Sequence, residues 1–172
     1  MPLIQVVDEN DRPVGGASKQ EIWQKGLYHR IIGVLILDEN KRVLLQRRAA
    51  TKQPYPNHWD LAVGGHVDEG EDYEIAAHRE LQEETGIMDD VELVEIDHYP
   101  TNKTVDGRIM NRFNKRFRAI IDSSTRIELD PTEAQEAKWF SRNEIKQLLD
   151  DPSTLMTYTL RRALEHYYTQ ND

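Results

Sequence analysis

The 172-residue chain carries 31 Asp and Glu against 22 Lys and Arg, a formal net charge of −9, with 38% hydrophobic residues. Such a chain is long and apolar enough to bury one ordinary core, and too apolar for a disordered acidic tail. The acidic balance argues against sequence-independent duplex DNA binding, which needs a basic stripe. The absence of cysteine excludes disulfides, thiolate zinc sites and Cys nucleophiles. The N-terminus lacks the basic and long apolar regions of a signal peptide, and the longest near-apolar stretch, 31–37, is too short to span a bilayer. The expectation is a cytoplasmic chain with no membrane partner, folded as one domain over 1–172.

In chain order, residues 3–8 predict a short strand, and Asn10 to Pro13 with Gly15 and Gly16 predict turns after it. Together with the residues up to 28 they form an N-terminal extension. Ser18 followed by Glu21 predicts a capping box opening a short helix that Gly26 stops. Residues 31–37 are continuous and β-branched, as in a strand buried on both faces, and 43–47 return as its partner. Pro54 and Pro56 make 52–58 a loop, and 59–63 form a brief strand running into Gly64 and Gly65. The clearest helix covers 72–84, with Gly86 where a terminating glycine belongs. Strand-like segments follow at 91–99, 109–121 and 137–140, and Trp59 and Trp139 read as core residues. Ser141 with Glu144 opens another capped helix, limited by Pro152. A final amphipathic helix covers 153–168 with Leu155, Tyr158, Leu160, Leu164 and Tyr167 buried. Strands on both sides of a central helix give a mixed α/β layered fold.

Eight carboxylates and a single cation, Arg79, lie between Asp68 and Glu84, a local charge of −7. On a helix, Glu80, Glu83 and Glu84 fall on one arc together with Tyr73, Ala76 and Ala77. A decorative acidic face would turn away from those alanines. Inward carboxylates require a counter-charge, and hard oxygen ligands select Mg²⁺ or Mn²⁺ over zinc.

These residues resemble a known family. Gly65, Glu71, Arg79-Glu80-Leu81, Glu83-Glu84 and Gly86-Ile87 match all nine specified positions of the Nudix box, G-x5-E-x7-R-E-U-x-E-E-x-G-U, across 65–87. Trp59-Asp60, Gly64 to Val67 and Ala137 to Ser141 are similar to further family landmarks. The resemblance implies a Nudix-type α/β/α sandwich with a mixed β-sheet. It also implies a Mg²⁺-dependent hydrolase, with Mn²⁺ as a substitute, that cleaves the diphosphate linkage of a nucleoside diphosphate derivative.

Carried over residue by residue, Glu83, Glu84 and the Gly64 carbonyl are metal ligands, and Glu80 is a further ligand or the base. Arg79 orients the glutamates, and Gly65, Glu71 and Gly86 are structural, with Glu71 satisfying backbone N–H groups at the helix start. A glutamate outside the box often supplies a ligand or base in this family, and Glu133 is best placed, with Glu136 the alternate. Six basic residues between Lys103 and Arg118 surround one acid, Asp106. Strand alternation puts Arg112, Arg116 and Arg118 on one face, where phosphate or an acidic partner can bind. Arg47, Arg48 and Lys52 are candidate phosphate contacts, and His66 a candidate for lining the site.

The lead-in, with His29-Arg30, is similar to the branch near isopentenyl-diphosphate isomerase. Isomerases of this fold depend on a cysteine, and Gly64 takes its place here. Two rival readings are a non-catalytic nucleotide sensor, against which the complete box argues, and an RNA cap or 5′-end pyrophosphohydrolase, against which the overall acidity argues. Homodimers are common among relatives, and the Tyr-rich last helix offers an interface.

Overall fold

The computed structural model describes residues 2–87, 91–105, 107–128 and 130–170. Its elements are β1 (Ile4–Val7), β2 (Pro13–Ala17), α1 (Lys19–Lys25), β3 (His29–Asp38), β4 (Val43–Arg48), β5 (Trp59–Leu61) and β6 (Val63–His66). They continue with α2 (Tyr73–Thr85), β7 (Val94–Val105), β8 (Arg108–Ile121), β9 (Ala134–Phe140), α3 (Arg142–Asp150) and α4 (Tyr158–Gln170).

The long β-branched strand β3 organises the sheet. Along one edge it pairs antiparallel, in successive segments, with β1 at His29, β6 at Ile31 to Val34 and β4 at Ile36 and Leu37. Its other edge runs parallel to β8 from His29 to Asp38. Strand alternation then sorts the side chains. Ile32, Val34 and Ile36 join Phe113, Phe117 and the buried face of α2 (Tyr73, Ala76, Ala77, Leu81) in one core cluster. Leu35 and Leu37 turn to the opposite face and pack on Ile145 of α3 and Leu160, Ala163 and Leu164 of α4. Helices on both faces of a mixed sheet make the α/β/α sandwich expected from the sequence. No helix among the described residues is long and apolar enough to cross a membrane.

The capping boxes at Ser18–Glu21 and Ser141–Glu144 both form, and Gly86 ends α2 with φ of 72°. Three expectations are corrected. Pro13 to Ala17 form a strand rather than a turn, because β1 supplies the pairing partner for Gly15 and Gly16. The final helix starts at Tyr158, not 153. Met156 bridges to Trp59 and the Thr157 hydroxyl bonds Asp60, so the segment before it is fixed by β5 rather than by helical bonds. Leu155 and Tyr158 are accordingly exposed, while Leu160 and Leu164 are buried and Tyr167 partly so. β7 also runs well past the predicted 91–99, while β8 matches the predicted 109–121 to within one residue, and the two pair as one long hairpin, whose Asp106 lies outside the described residues.

Candidate active site

The box folds as a loop and helix clamped by one arginine. Asp72, not Glu71, caps α2, accepting from the backbone N–H groups of Glu74 and Ile75. Glu71 instead accepts the Asp68 N–H at 3.1 Å and holds Arg79 through both oxygens, Oε1 to Nε and Oε2 to Nη2, each at 3.0 Å. Arg79 also donates to Glu80 at 2.8 Å, to Glu83 at 3.4 Å and to the His66 carbonyl at 2.9 Å. One guanidinium thereby offsets the like charges of the acidic arc and ties α2 to the end of β6. It holds the Glu71 carboxyl below its ordinary range.

Gly65 is required by contact rather than by backbone conformation. A Cβ at this position collides with the Glu80 carboxylate, so glycine is what lets that side chain lie against β6. Gly64 plays a different part. Its N–H donates to Glu84 Oε2 at 2.9 Å, so it is not spent on β3, and Gly33–Gly64 is a non-hydrogen-bonded pair of the ladder. In such a pair the carbonyl turns away from the neighbouring strand with the N–H, here towards Glu84.

Burial pushes the Glu84 carboxyl up to about 8, against the Gly64 N–H, and the charges of Glu80, Glu133 and Asp60 add to the rise. Burial likewise raises Glu80, opposed by Arg79. Glu83, by contrast, stands out from the surface, with 59% of its side chain exposed. No three His, Asp or Glu side chains converge as a metal cage among the described residues. The donor set still suits a hard divalent cation: it consists of carboxylate oxygens, one desolvated and repelled by its neighbours, beside a carbonyl turned the same way. Glu80 and Glu83 each meet Arg79 through one oxygen, Oε1 and Oε2 respectively, which leaves the other oxygen of each carboxylate without a bond to Arg79.

Outside the box, Glu133 forms an ion pair with Lys52, and its charge reaches Glu84. Glu136 pairs instead with Arg47, at 3.5 Å.

The predicted cationic contacts separate. Arg47 donates to the Asn57 carbonyl, and Arg48 to those of Pro54 and Tyr55 and to Asp60. Both therefore brace the 52–58 loop rather than standing free for phosphate. Arg116, placed with Arg112 on one face by alternation, is 1% exposed and consumed by a bidentate pair with Asp97 and a bond to the Thr159 carbonyl. It is a structural residue, a correction that follows from α4 closing over that part of β8. Arg112 has no such partner among the described residues: its Nε is buried without a hydrogen bond.

His66 does line this region, packed against His29 with ring centroids 5.6 Å apart. Burial lowers His29 to about 4 and His66 well below its ordinary value. A histidine whose folded value is depressed gives its full stability above about pH 6.5 and loses it as pH falls towards 4. Thermal melts at pH 7.5 and 5 should therefore show a smaller acid loss in His29→Asn than in the parent, by about 2 kcal/mol. Equal acid losses would contradict this.

Sequence reasoning missed Asp60 as a charged neighbour of the box. It is raised by burial and held by the Thr157 hydroxyl at 2.7 Å. Its place beside Trp59 gave no sign of this, because Thr157 and Glu84 are remote in the chain.

Comparison with known proteins places this acidic helix, clamped to a glycine strand within an α/β/α sandwich, in a family. A family model described as NUDIX domain matches residues 27–159, so the chain belongs to the Nudix family. It is 29% identical over 163 residues to isopentenyl-diphosphate Delta-isomerase 2 of Photorhabdus laumondii, covering 94% of this chain and 90% of that protein. It is 45% identical over 89 residues to an uncharacterized Nudix hydrolase of Pseudomonas aeruginosa, covering 52% of this chain and 53% of that one. In fold it is similar to DR0079 from Deinococcus radiodurans, with a TM-score of 0.77 at 20% identity, covering 96% of this chain and 98% of that one.

Proposed function

We propose that the protein is a Mg²⁺-dependent hydrolase that cleaves a diphosphate linkage in a nucleoside diphosphate derivative. The observation that carries this reading is the Arg79 clamp, which sets Glu80 beneath Gly65 while Glu84 is buried on the Gly64 N–H. Glu80, Glu83, Glu84 and the Gly64 carbonyl are the residues to hold the metal. When bound, Mg²⁺ neutralises charge building on the phosphoryl oxygens and lowers the pKa of a bound water. Arg79 positions the glutamates and does not touch substrate.

Glu133 and Glu80 are the two candidates for accepting the proton of the attacking water. Loss of a general base costs about 10²–10⁴-fold in turnover. Comparing Glu80→Gln with Glu133→Gln on a diphosphate substrate assigns the role: the base variant loses that factor and its acidic pH limb. If neither variant changes the pH profile, both assignments are wrong.

The isomerase relatives supply a second reading, since the one from Photorhabdus laumondii aligns along 94% of this chain. Against it stands Gly64, which puts no side chain where the isomerases of this fold carry their cysteine.

A further inference from the structure

β6 divides two environments. Val63 packs in the α2 core and Gly65 meets Glu80. Alternation therefore turns His66 to the other face, where His29 stacks on it and Arg112 stands opposite His29 in the parallel register of β3 and β8. Three buried polar atoms here lack any hydrogen bond: His29 Nε2, His66 Nε2 and Arg112 Nε. Leaving an arginine N–H buried and unpaired is costly, and native interiors rarely keep such a donor without a ligand or water to answer it. Burial also lowers Arg112, and the nearest offsetting charges are Tyr55, Asp60 and Tyr99 rather than a paired carboxylate.

Two histidines alone would suit a transition metal. The guanidinium between the strands reverses that preference, because it repels a cation and offers donors in the fork geometry that fits phosphate. Lys19 adds a second positive charge, near Arg112 and Lys52. His29 Nδ1 donates to the Leu27 carbonyl at 3.1 Å, which leaves its Nε2 as an acceptor for a protonated oxygen or a bridging water. No hydrogen bond among the described residues fixes the His66 tautomer, so its Nε2 can donate.

We propose that Arg112, His66 and His29 form a phosphoryl subsite on the side of β6 opposite the box carboxylates. The inference deepens the hydrolase reading and rests on it for the word substrate. His66 lies two residues along the strand from Gly64, about 7 Å. A substrate held at both places carries a second phosphoryl group about that far from the one at the box. A triphosphate chain comes nearer to this span than a diphosphate, whose two phosphorus atoms share one bridging oxygen, and a nucleotide sugar presents a neutral end.

The test is calorimetric titration with inorganic pyrophosphate in the presence of EDTA, with the histidine ring resonances followed by NMR. The parent protein should bind, and the His29 and His66 resonances should both move. Arg112→Met should weaken binding more than about tenfold, and His29→Asn, which keeps a donor to Leu27, about fivefold. Arg126→Met, which removes an exposed charge elsewhere, should bind as the parent does. No binding by the parent, equal affinity in Arg112→Met, or unmoved histidine resonances would each overturn the subsite. So would a cobalt(II) spectrum showing histidine ligation in place of anion binding. Arg112-dependent binding without hydrolysis of any diphosphate would sink the hydrolase reading and leave the subsite standing. Hydrolysis with pyrophosphate affinity and KM unchanged in Arg112→Met would do the reverse.

Discussion

Glu84→Gln should lower Mg²⁺-dependent turnover about 10²–10³-fold and yet raise the melting temperature of the metal-free protein at pH 8. The first effect follows from removing a ligand worth several kcal/mol of transition-state charge stabilisation, at about 1.4 kcal/mol per factor of ten. The second follows from linkage. Burial lifts the folded carboxyl to about 8, far above its unfolded value, so the fold binds this proton more tightly than the unfolded chain. Ionising Glu84 then costs stability progressively as pH rises from about 4.5 to 8. Glutamine carries no charge and keeps an oxygen for the Gly64 N–H. The ceiling on the gain is about 4 kcal/mol, and each kcal/mol moves the melting point by about 2–4 °C in a chain of this size. Mg²⁺ should stabilise the parent and leave the variant's melt nearly unmoved. Glu83→Gln should share the loss of turnover without the gain, because that side chain is already exposed. Near-parental turnover in both variants would remove them from the metal site.

The second large effect concerns folding. Arg116→Met should cost about 3–5 kcal/mol, a fall of roughly 6–20 °C in melting temperature. Arg116 is 1% exposed and bonds Asp97 through Nε at 2.7 Å and through Nη2, and its Nη1 donates to the Thr159 carbonyl at 2.9 Å. It also lies over the Tyr99 ring, 4.8 Å from the centroid. Truncating it leaves Asp97 with Arg162, at 3.8 Å, as its cation among the described residues. The measurable signature is non-additivity. Arg116→Met with Asp97→Asn should be more stable than the sum of the single losses predicts, since the double variant leaves no buried charge unmatched. A loss below 1 kcal/mol in Arg116→Met would place the pair with ordinary surface ion pairs.

These two residues mark what the sequence could and could not show. The box was legible because helical periodicity alone puts Glu80 and Glu84 with the buried Ala76 and Ala77, and α2 and its Gly86 stop formed as expected. The two capping boxes were legible for the same reason, since each is closed by residues three apart. What failed depended on distant partners. Alternation put Arg112 and Arg116 on one face, but their opposite fates depend on Asp97 and α4, 19 and 43 residues from Arg116. Arg47 and Arg48 were free cations in the sequence and became braces because carbonyls of the 52–58 loop turn back onto them. β2 was hidden by its glycines, whose turn chemistry was outweighed by pairing with β1. The acidity itself proved local. Seven of the nine net charges sit between Asp68 and Glu84, where Arg79 offsets part and the proposed divalent cation would offset more.

Hydrolysis of a diphosphate linkage by water is the central claim, and isotope incorporation tests it most directly. The protein with Mg²⁺ is incubated in ¹⁸O-enriched water with nucleoside di- and triphosphates, nucleotide sugars, dinucleotides and isopentenyl diphosphate, and the products are resolved by mass spectrometry. One ¹⁸O in a phosphoryl product, lost in EDTA and in Glu84→Gln, is the result the account predicts. Folded protein that releases no labelled phosphoryl product, or that converts isopentenyl diphosphate to its double-bond isomer, would contradict it.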